Sequence, residues 1–271
     1  MALNRIGIDY LTLLGPQPVH FIETVADAGA SHASLFLTNA VNPFNAPDFS
    51  LISDAPLRRA TRAAARDRGV SIALVDGFCI FPGASVEDLR PSLDAVADLG
   101  CTRVNALSFD PDWDKTVDQV AALAGIAADY AITVTIEPCP LFPIASVARA
   151  LELTGRARMP NLKLLIDTMH VARSGETRAL GAIDPMLIDY VQICDGPARF
   201  ANDEAYQAAA MCERAVPGAG ELPLIEMLRQ IRPDVIVSGE IPQRSLKEAG
   251  VSDLDQTKAV VAGIARTLAA V

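Results

Sequence analysis

Four polar side chains stand at matching places in four successive β-branched runs. The runs are Thr133-Val134-Thr135-Ile136-Glu137-Pro138, Leu164-Leu165-Ile166-Asp167-Thr168-Met169-His170, Tyr190-Val191-Gln192-Ile193-Cys194-Asp195 and Val237-Ser238-Gly239-Glu240-Ile241-Pro242. Side chains alternate faces along a strand. If Glu137 faces one way, Thr133 and Thr135 share that face, and Ile132, Val134 and Ile136 take the other. Gln192 goes with Tyr190 in the same manner, and Glu240 with Ser238, while Val191, Ile193, Val235 and Val237 face away. The pattern aims Glu137, Asp167, Gln192 and Glu240 at one small volume. Three carboxylates there repel and desolvate one another, and a divalent cation resolves the conflict. Three carboxylates and an amide carbonyl form an all-oxygen donor set, which suits Mg2+ or Mn2+ better than zinc. Taken singly, each is also what a helix cap or a surface charge looks like. The common phase on successive strands is what points to a metal centre.

Other residues cluster near these ends in sequence. His170 follows Asp167 by three positions and could hydrogen-bond a substrate oxygen or orient Asp167. Arg199 follows Asp195, and Arg214 precedes Pro217-Gly218-Ala219-Gly220-Glu221; either arginine could take a carboxylate or phosphate, or be a solvated loop residue. Pro217–Glu221 reads as a turn and lacks the lysine of a phosphate loop. Cys139 and Cys194 fall two residues beyond Glu137 and Gln192 and read as small packing residues, because no His–Cys pair accompanies them. His20 and His32 read as structural. No G-x-S-x-G or H-E-x-x-H is present.

The elements that must carry these side chains alternate. Strands are expected near Arg5–Tyr10, His32–Leu37, Val70–Val75, Arg103–Leu107, Thr133–Glu137, Lys163–Asp167, Tyr190–Ile193 and Val235–Glu240. Helical 3–4 spacing runs through Val19–Ala28, Pro56–Arg68, Val86–Leu99, Val117–Tyr130, Ile144–Leu153, Leu222–Ile231 and Leu254–Leu268. Gly29, Gly69 and Gly100 stop helices before strands. Eight β-then-α units predict an α/β protein, a single (β/α)8 barrel domain over residues 1–271, with active-site residues at the C-terminal strand ends. An open doubly wound sheet would carry a glycine-rich loop after its first strand, and Asp9–Gly15 is not one. The long segment Asp195–Leu222 between strand seven and its helix exceeds an ordinary connection, and Asp203–Arg214 within it suits a short helix. It is expected to fold over the barrel mouth, with Arg199 or Arg214 meeting an anionic end of the substrate. An oligomer contact is the other reading of this segment, so a homo-oligomer stays open.

Composition narrows the function class. The 271 residues carry 23 Lys plus Arg against 33 Asp plus Glu, a formal charge of −10, and no basic cluster for nucleic acid or an anionic membrane surface. No apolar run is long enough to span a bilayer. The N-terminal MALNRIGIDYL has no leader pattern. Five cysteines without a C-x-x-C give neither a disulfide framework nor a structural zinc site, so the expected compartment is the cytoplasm and the expected partner a small-molecule substrate.

The segments T-I-E-P around Glu137, L-I-D-T-M-H ending at His170, Y-V-Q-I-C-D ending at Asp195, P-G-A-G-E-L-P at Pro217–Pro223 and S-G-E-I-P around Glu240 together resemble the xylose isomerase-like TIM-barrel superfamily, of sugar phosphate isomerase/epimerase type. The resemblance covers the C-terminal half; the N-terminal half agrees in strand–helix rhythm. It implies metal ligands at Glu137, Asp167, Gln192 and Glu240, and substrate contact by His170 and an arginine after strand seven, best matched by Arg199. Many sugar epimerases of this group carry His where Gln192 stands; Gln is more like the hydroxypyruvate isomerase-like branch, although the stretch from Arg199 to Pro217 is longer than that isomerase implies. DNA-repair relatives need a His-rich multi-metal site, which three histidines do not supply. The implied chemistry is a metal-dependent isomerase or epimerase of carbohydrate metabolism. It would act on a small sugar or keto acid through an enediolate, with Glu137 and Glu240 as base and acid. A dehydratase on the same scaffold shares the first proton abstraction, and a non-catalytic binding barrel is the third reading.

Overall fold

The computed structural model describes residues 2–39 and 44–271; Met1, at the head of the N-terminal stretch discussed above, lies outside them. Eight parallel strands close in sequence order into a barrel: β1 (Ile6–Ile8), β2 (His32–Phe36), β3 (Ser71–Ile80), β4 (Arg103–Ser108), β5 (Thr133–Ile136), β6 (Leu162–Asp167), β7 (Ile188–Ile193) and β8 (Ile236–Gly239). The chain is thus a (β/α)8 barrel. The helices are α1 (Pro18–Asp27), α2 (Ala55–Arg68), α3 (Arg90–Leu99), α4 (Trp113–Ala128), α5 (Val147–Ala157), α6 (Thr168–Arg173), α7 (Asp203–Cys212), α8 (Leu224–Leu228), α9 (Arg244–Glu248) and α10 (Asp253–Ala269). No helix among the described residues is long and apolar enough to cross a membrane.

Apolar residues sort by strand phase. Val134, Ile136, Val191, Ile193 and Val237 join the large core shared with the helices, whereas Ala73, Leu74, Leu165 and Tyr190 form a separate cluster against Ile236. In a barrel of this kind that second cluster is the packed interior, on which the polar strand ends rest.

Several elements depart from their sequence-based limits. The third strand runs on to Ile80 rather than stopping near Val75, through a register shift between Val75 and Phe78. Gly77 carries that irregularity with φ +86, a backbone conformation that side chains with a Cβ rarely adopt. The helix expected over Val86–Leu99 begins as a 3-10 turn, Val86–Leu89, with Pro91 in the first turn of α3. The helix expected over Leu222–Ile231 contracts to α8, and Asp167 starts α6, a helix that apolar spacing did not signal. The long segment after β7 does hold a helix, α7, opened by Asn202, whose side chain accepts from Ala205 N.

Candidate active site

Glu137, Asp167, Gln192 and Glu240 are all buried and belong to one polar network. Asn105 of β4 donates through Nδ2 to Glu137 Oε2 (3.0 Å) and to Asp76 Oδ1 (3.1 Å). Gln192 Nε2 lies 3.2 Å from each of three acceptors: Asp76 Oδ2, Asp9 Oδ1 and Glu240 Oε1. Asp167 has two tasks. Its Oδ1 accepts from Met169 N (2.7 Å) and His170 N (3.0 Å), capping α6, and its Oδ2 takes a hydrogen bond from Arg214.

Arg214 is the cation of the cluster. Its Nη1 lies 2.6 Å from Asp167 Oδ2 and its Nη2 2.8 Å from Glu240 Oε2, with only 4% of the residue exposed. The local fold puts it there. Flanking antiparallel bridges join Asp195 to Ala215 and Glu213 to Gln243, Arg214 N donates to Pro242 O, and its Nε donates to Ala210 O at the end of α7. Burial disfavours a charged guanidinium, but the Asp167 and Glu240 carboxylates outweigh it and keep Arg214 protonated. Burial would raise Asp167 too, yet the charge of Arg214 and the hydrogen bonds from Arg214 and His170 N hold it down to about 2. Arg199, by contrast, is exposed and does not line the cavity described below.

His170 is 7% exposed, and burial depresses its pKa to about 4 against the pull of Asp167. On the neutral ring, Nδ1 accepts from the Tyr206 hydroxyl of α7 (2.6 Å), and Nε2 stands 3.2 Å from Glu137 Oε1. The segment after β7 therefore reaches the site through Tyr206 and Arg214. Cys139 and Cys194 are buried free thiols whose pKa values burial pushes up to about 12, which suits packing rather than nucleophilic work.

Asp9, Asp76, Asn105 and Tyr206 were not singled out from the sequence. Asp9 follows β1, and Asp76 stands where β3 first seemed to end, so the strand-end rule that marks Glu137 and Glu240 marks them as well. Tyr206 has no such signal, because its place depends on how the long segment folds back.

A cavity of about 350 Å3 opens above the network. Glu137, Glu240, Asp76, His170 and Arg214 line one part of it, and Phe36, Phe78, Phe109, Phe142, Leu37 and Ile52 line much of the rest. The polar end is short of positive charge. Asp9 is raised to about 7 by burial, with Asp76 adding to it; Asp76 is raised by burial; Glu137 is raised by burial and by the charges of Asp167 and Asp76; Glu240 is raised by burial despite Arg214. One oxygen each from Glu137 and Asp167 and one His170 nitrogen lie within 4.8 Å of one another, and the buried Gln192 Oε1 has no hydrogen-bond partner among the described residues. Surplus carboxylates, an unpartnered amide carbonyl and ligand atoms this close together fit a divalent cation.

The profile of the xylose isomerase-like TIM barrel family matches residues 22–266, and the chain belongs to that family. No curated protein sequence matches the chain. Among solved structures it is similar to a xylose isomerase-like TIM barrel/4-hydroxyphenylpyruvate dioxygenase fusion protein, with 19% identity, a TM-score of 0.79 and 96% of this chain covered; the match takes up 42% of that longer chain. It is similar to the IOLI protein with a bound zinc atom, at 16% identity and a TM-score of 0.78 over 98% of both chains. It is also similar to the probable 3-DHS dehydratase AsbF of Bacillus anthracis, at 16% identity and a TM-score of 0.73 over 95% of this chain and 97% of that one. Sugar epimerases are similar too. Identities this low speak for a common fold.

Proposed function

We propose that the chain is a divalent-cation-dependent enzyme that withdraws the proton beside the carbonyl of a small cyclic hydroxy-carbonyl compound and expels the β-hydroxyl as water. The observation that carries this reading is the cavity: two buried glutamates open onto a wall made largely of phenylalanine and aliphatic side chains. A polyhydroxylated sugar entering it would exchange water for few polar partners, at a cost for every unmatched hydroxyl. A ring with few hydroxyls that flattens and loses one more suits it better.

Glu137 and Glu240 would work as a pair. Burial raises both above the ordinary carboxylate range, which suits the pair to exchanging protons with a substrate carbon and oxygen. The base takes the proton from carbon, the C–O bond of the β-hydroxyl breaks, and the protonated partner supplies the proton that completes the leaving water. His170, fixed by Tyr206, orients Glu137. Arg214 lines the cavity and is the candidate partner of an anionic substrate end. Mg2+ or Mn2+, held by Glu137, Asp167, Gln192 and Glu240, would supply Lewis-acid polarisation of the substrate carbonyl. A dehydratase and several epimerases, so named, share the scaffold.

Isomerisation or epimerisation of a sugar or keto acid is the second reading. It is favoured by the presence of both Glu137 and Glu240 at the cavity, since removing a proton and returning it elsewhere employs two groups. Incubating the Mn2+-loaded protein with cyclic and acyclic β-hydroxy ketones and hydroxy acids in D2O, followed by NMR, separates the outcomes. Stoichiometric loss of water with a new double bond supports elimination. Deuterium in an isomeric product supports the second reading. Neither outcome with any substrate, or the same turnover after Glu240→Gln, overturns both.

A further inference from the structure

One end of the Gln192 side chain lies among three carboxylates, at 3.2 Å from Asp9 Oδ1, Asp76 Oδ2 and Glu240 Oε1. That end is the NH2 group: facing three ionised carboxylates, an amide oxygen would meet acceptors and no donor. The opposite end, Oε1, is buried and has no hydrogen-bond partner among the described residues. Asp9 and Asp76 are each anchored apart from Gln192. Asp76 Oδ1 accepts from Gly77 N (2.6 Å) and Asn105 Nδ2 (3.1 Å), and the Asp9 backbone is tied to β8 through its N–H to Gly239 O (2.9 Å).

We propose that Asp9 and Asp76 are positioning residues that select one orientation of the Gln192 amide, so that its carbonyl oxygen and not its NH2 group is offered to the cation. The proposal rests on the metal reading given above and explains an otherwise costly arrangement. Two extra buried carboxylates raise the charge density of an already acidic site, and their return is a fixed fourth ligand. An amide has equal room for its oxygen and its nitrogen. Only its neighbours decide which end faces which way, and a group behind a metal ligand commonly does this. In Asp76→Asn the new amide can donate to a reversed Gln192 carbonyl, so the wrong orientation is no longer penalised.

The test is Mn2+ binding to the full chain, read by the EPR signal of free Mn2+ and by calorimetry, with the melting temperature of each metal-free variant measured alongside. Asp9→Asn and Asp76→Asn should each weaken Mn2+ about 10–100-fold without lowering the melting temperature. Neutralising a carboxylate near a cation weakens binding by itself, so a double-mutant cycle separates the two causes. In a Gln192→Met background, where no amide remains to be oriented, Asp76→Asn should cost only what the lost charge costs, a loss at least about threefold smaller than in the native background. An equal loss in both backgrounds overturns the proposal, as does unchanged affinity in both single variants or a loss that follows a fallen melting temperature. If the unmodified protein fails to bind Mn2+, Mg2+ or Zn2+, the metal reading falls and this proposal falls with it. Tight binding to the unmodified protein with a null cycle sinks the orientation alone.

Discussion

Arg214 is the residue on which the carboxylate cluster depends in the absence of any other cation. It bridges Asp167 and Glu240, and both carboxylates are buried at strand ends. Removing one partner of such a pair leaves uncompensated charge in the interior and commonly costs 3–5 kcal/mol. Arg214→Met, which keeps much of the volume, should lower the metal-free stability by about that amount, measured by urea unfolding. Saturating Mn2+ should recover part of the loss, because a divalent ion neutralises the same carboxylates. A loss below about 1 kcal/mol, or one that Mn2+ leaves untouched, would mean that the guanidinium is not their counterion.

At the scale of elements, the two ends of the segment from Asp195 to Leu222 are drawn together by the buried Asp195 carboxylate. Asp195 Oδ1 accepts from Gly196 N and Leu222 N, and its Oδ2 accepts from Gly218 N, while its backbone bridges to Ala215 beside Arg214. Gly220 is packed so closely against this anchor that a Cβ there would stand 2.3 Å from Asp195 Oδ1 and 2.4 Å from Gly196 N. Gly220→Ala must therefore move the loop, and overpacking of this kind costs about 1–3 kcal/mol. Because Ala215 is bridged to the same anchor, the substitution should also disturb Arg214 and depress turnover. A variant with both wild-type stability and wild-type turnover would show that the loop yields freely and that Asp195 does not set the position of Arg214.

For the whole molecule, the closed barrel brings side chains from β1, β3, β4, β5, β6, β7 and β8 to one end, and their acidic sum makes cation binding part of stability. A ligand that binds only the folded chain adds about 2.7 kcal/mol at a hundred times its dissociation constant. For a chain of this size each kcal/mol moves the midpoint by about 2–4 °C. Mn2+ at that level should raise the melting temperature by about 5–10 °C, and EDTA should reverse the gain. No shift with Mn2+, Mg2+ or Zn2+ would count against a cation site at the strand ends.

The barrel, its strand order and the convergence of Glu137, Asp167, Gln192 and Glu240 were legible because period-2 alternation and repeated strand–helix units are local properties of the chain. So was the helix inside the long segment, since a connection longer than usual leaves room for one over Asp203–Arg214. Local pattern says where a side chain points along its own strand, but not which partner from another part of the chain meets it. Asp76 stands at the expected end of the third strand, but only the Gly77 irregularity and the closed barrel show that it meets Asn105 and Gln192. Tyr206 was invisible as a partner of His170 because thirty-six residues separate them. Arg199 and Arg214 were equal candidates by composition, and only the bridges around Arg214 bury one guanidinium between Asp167 and Glu240 while leaving the other exposed. Backbone geometry and hydrophobic periodicity are written residue by residue. The pairing of buried charges is not, since it depends on which groups the closed barrel removes from water together.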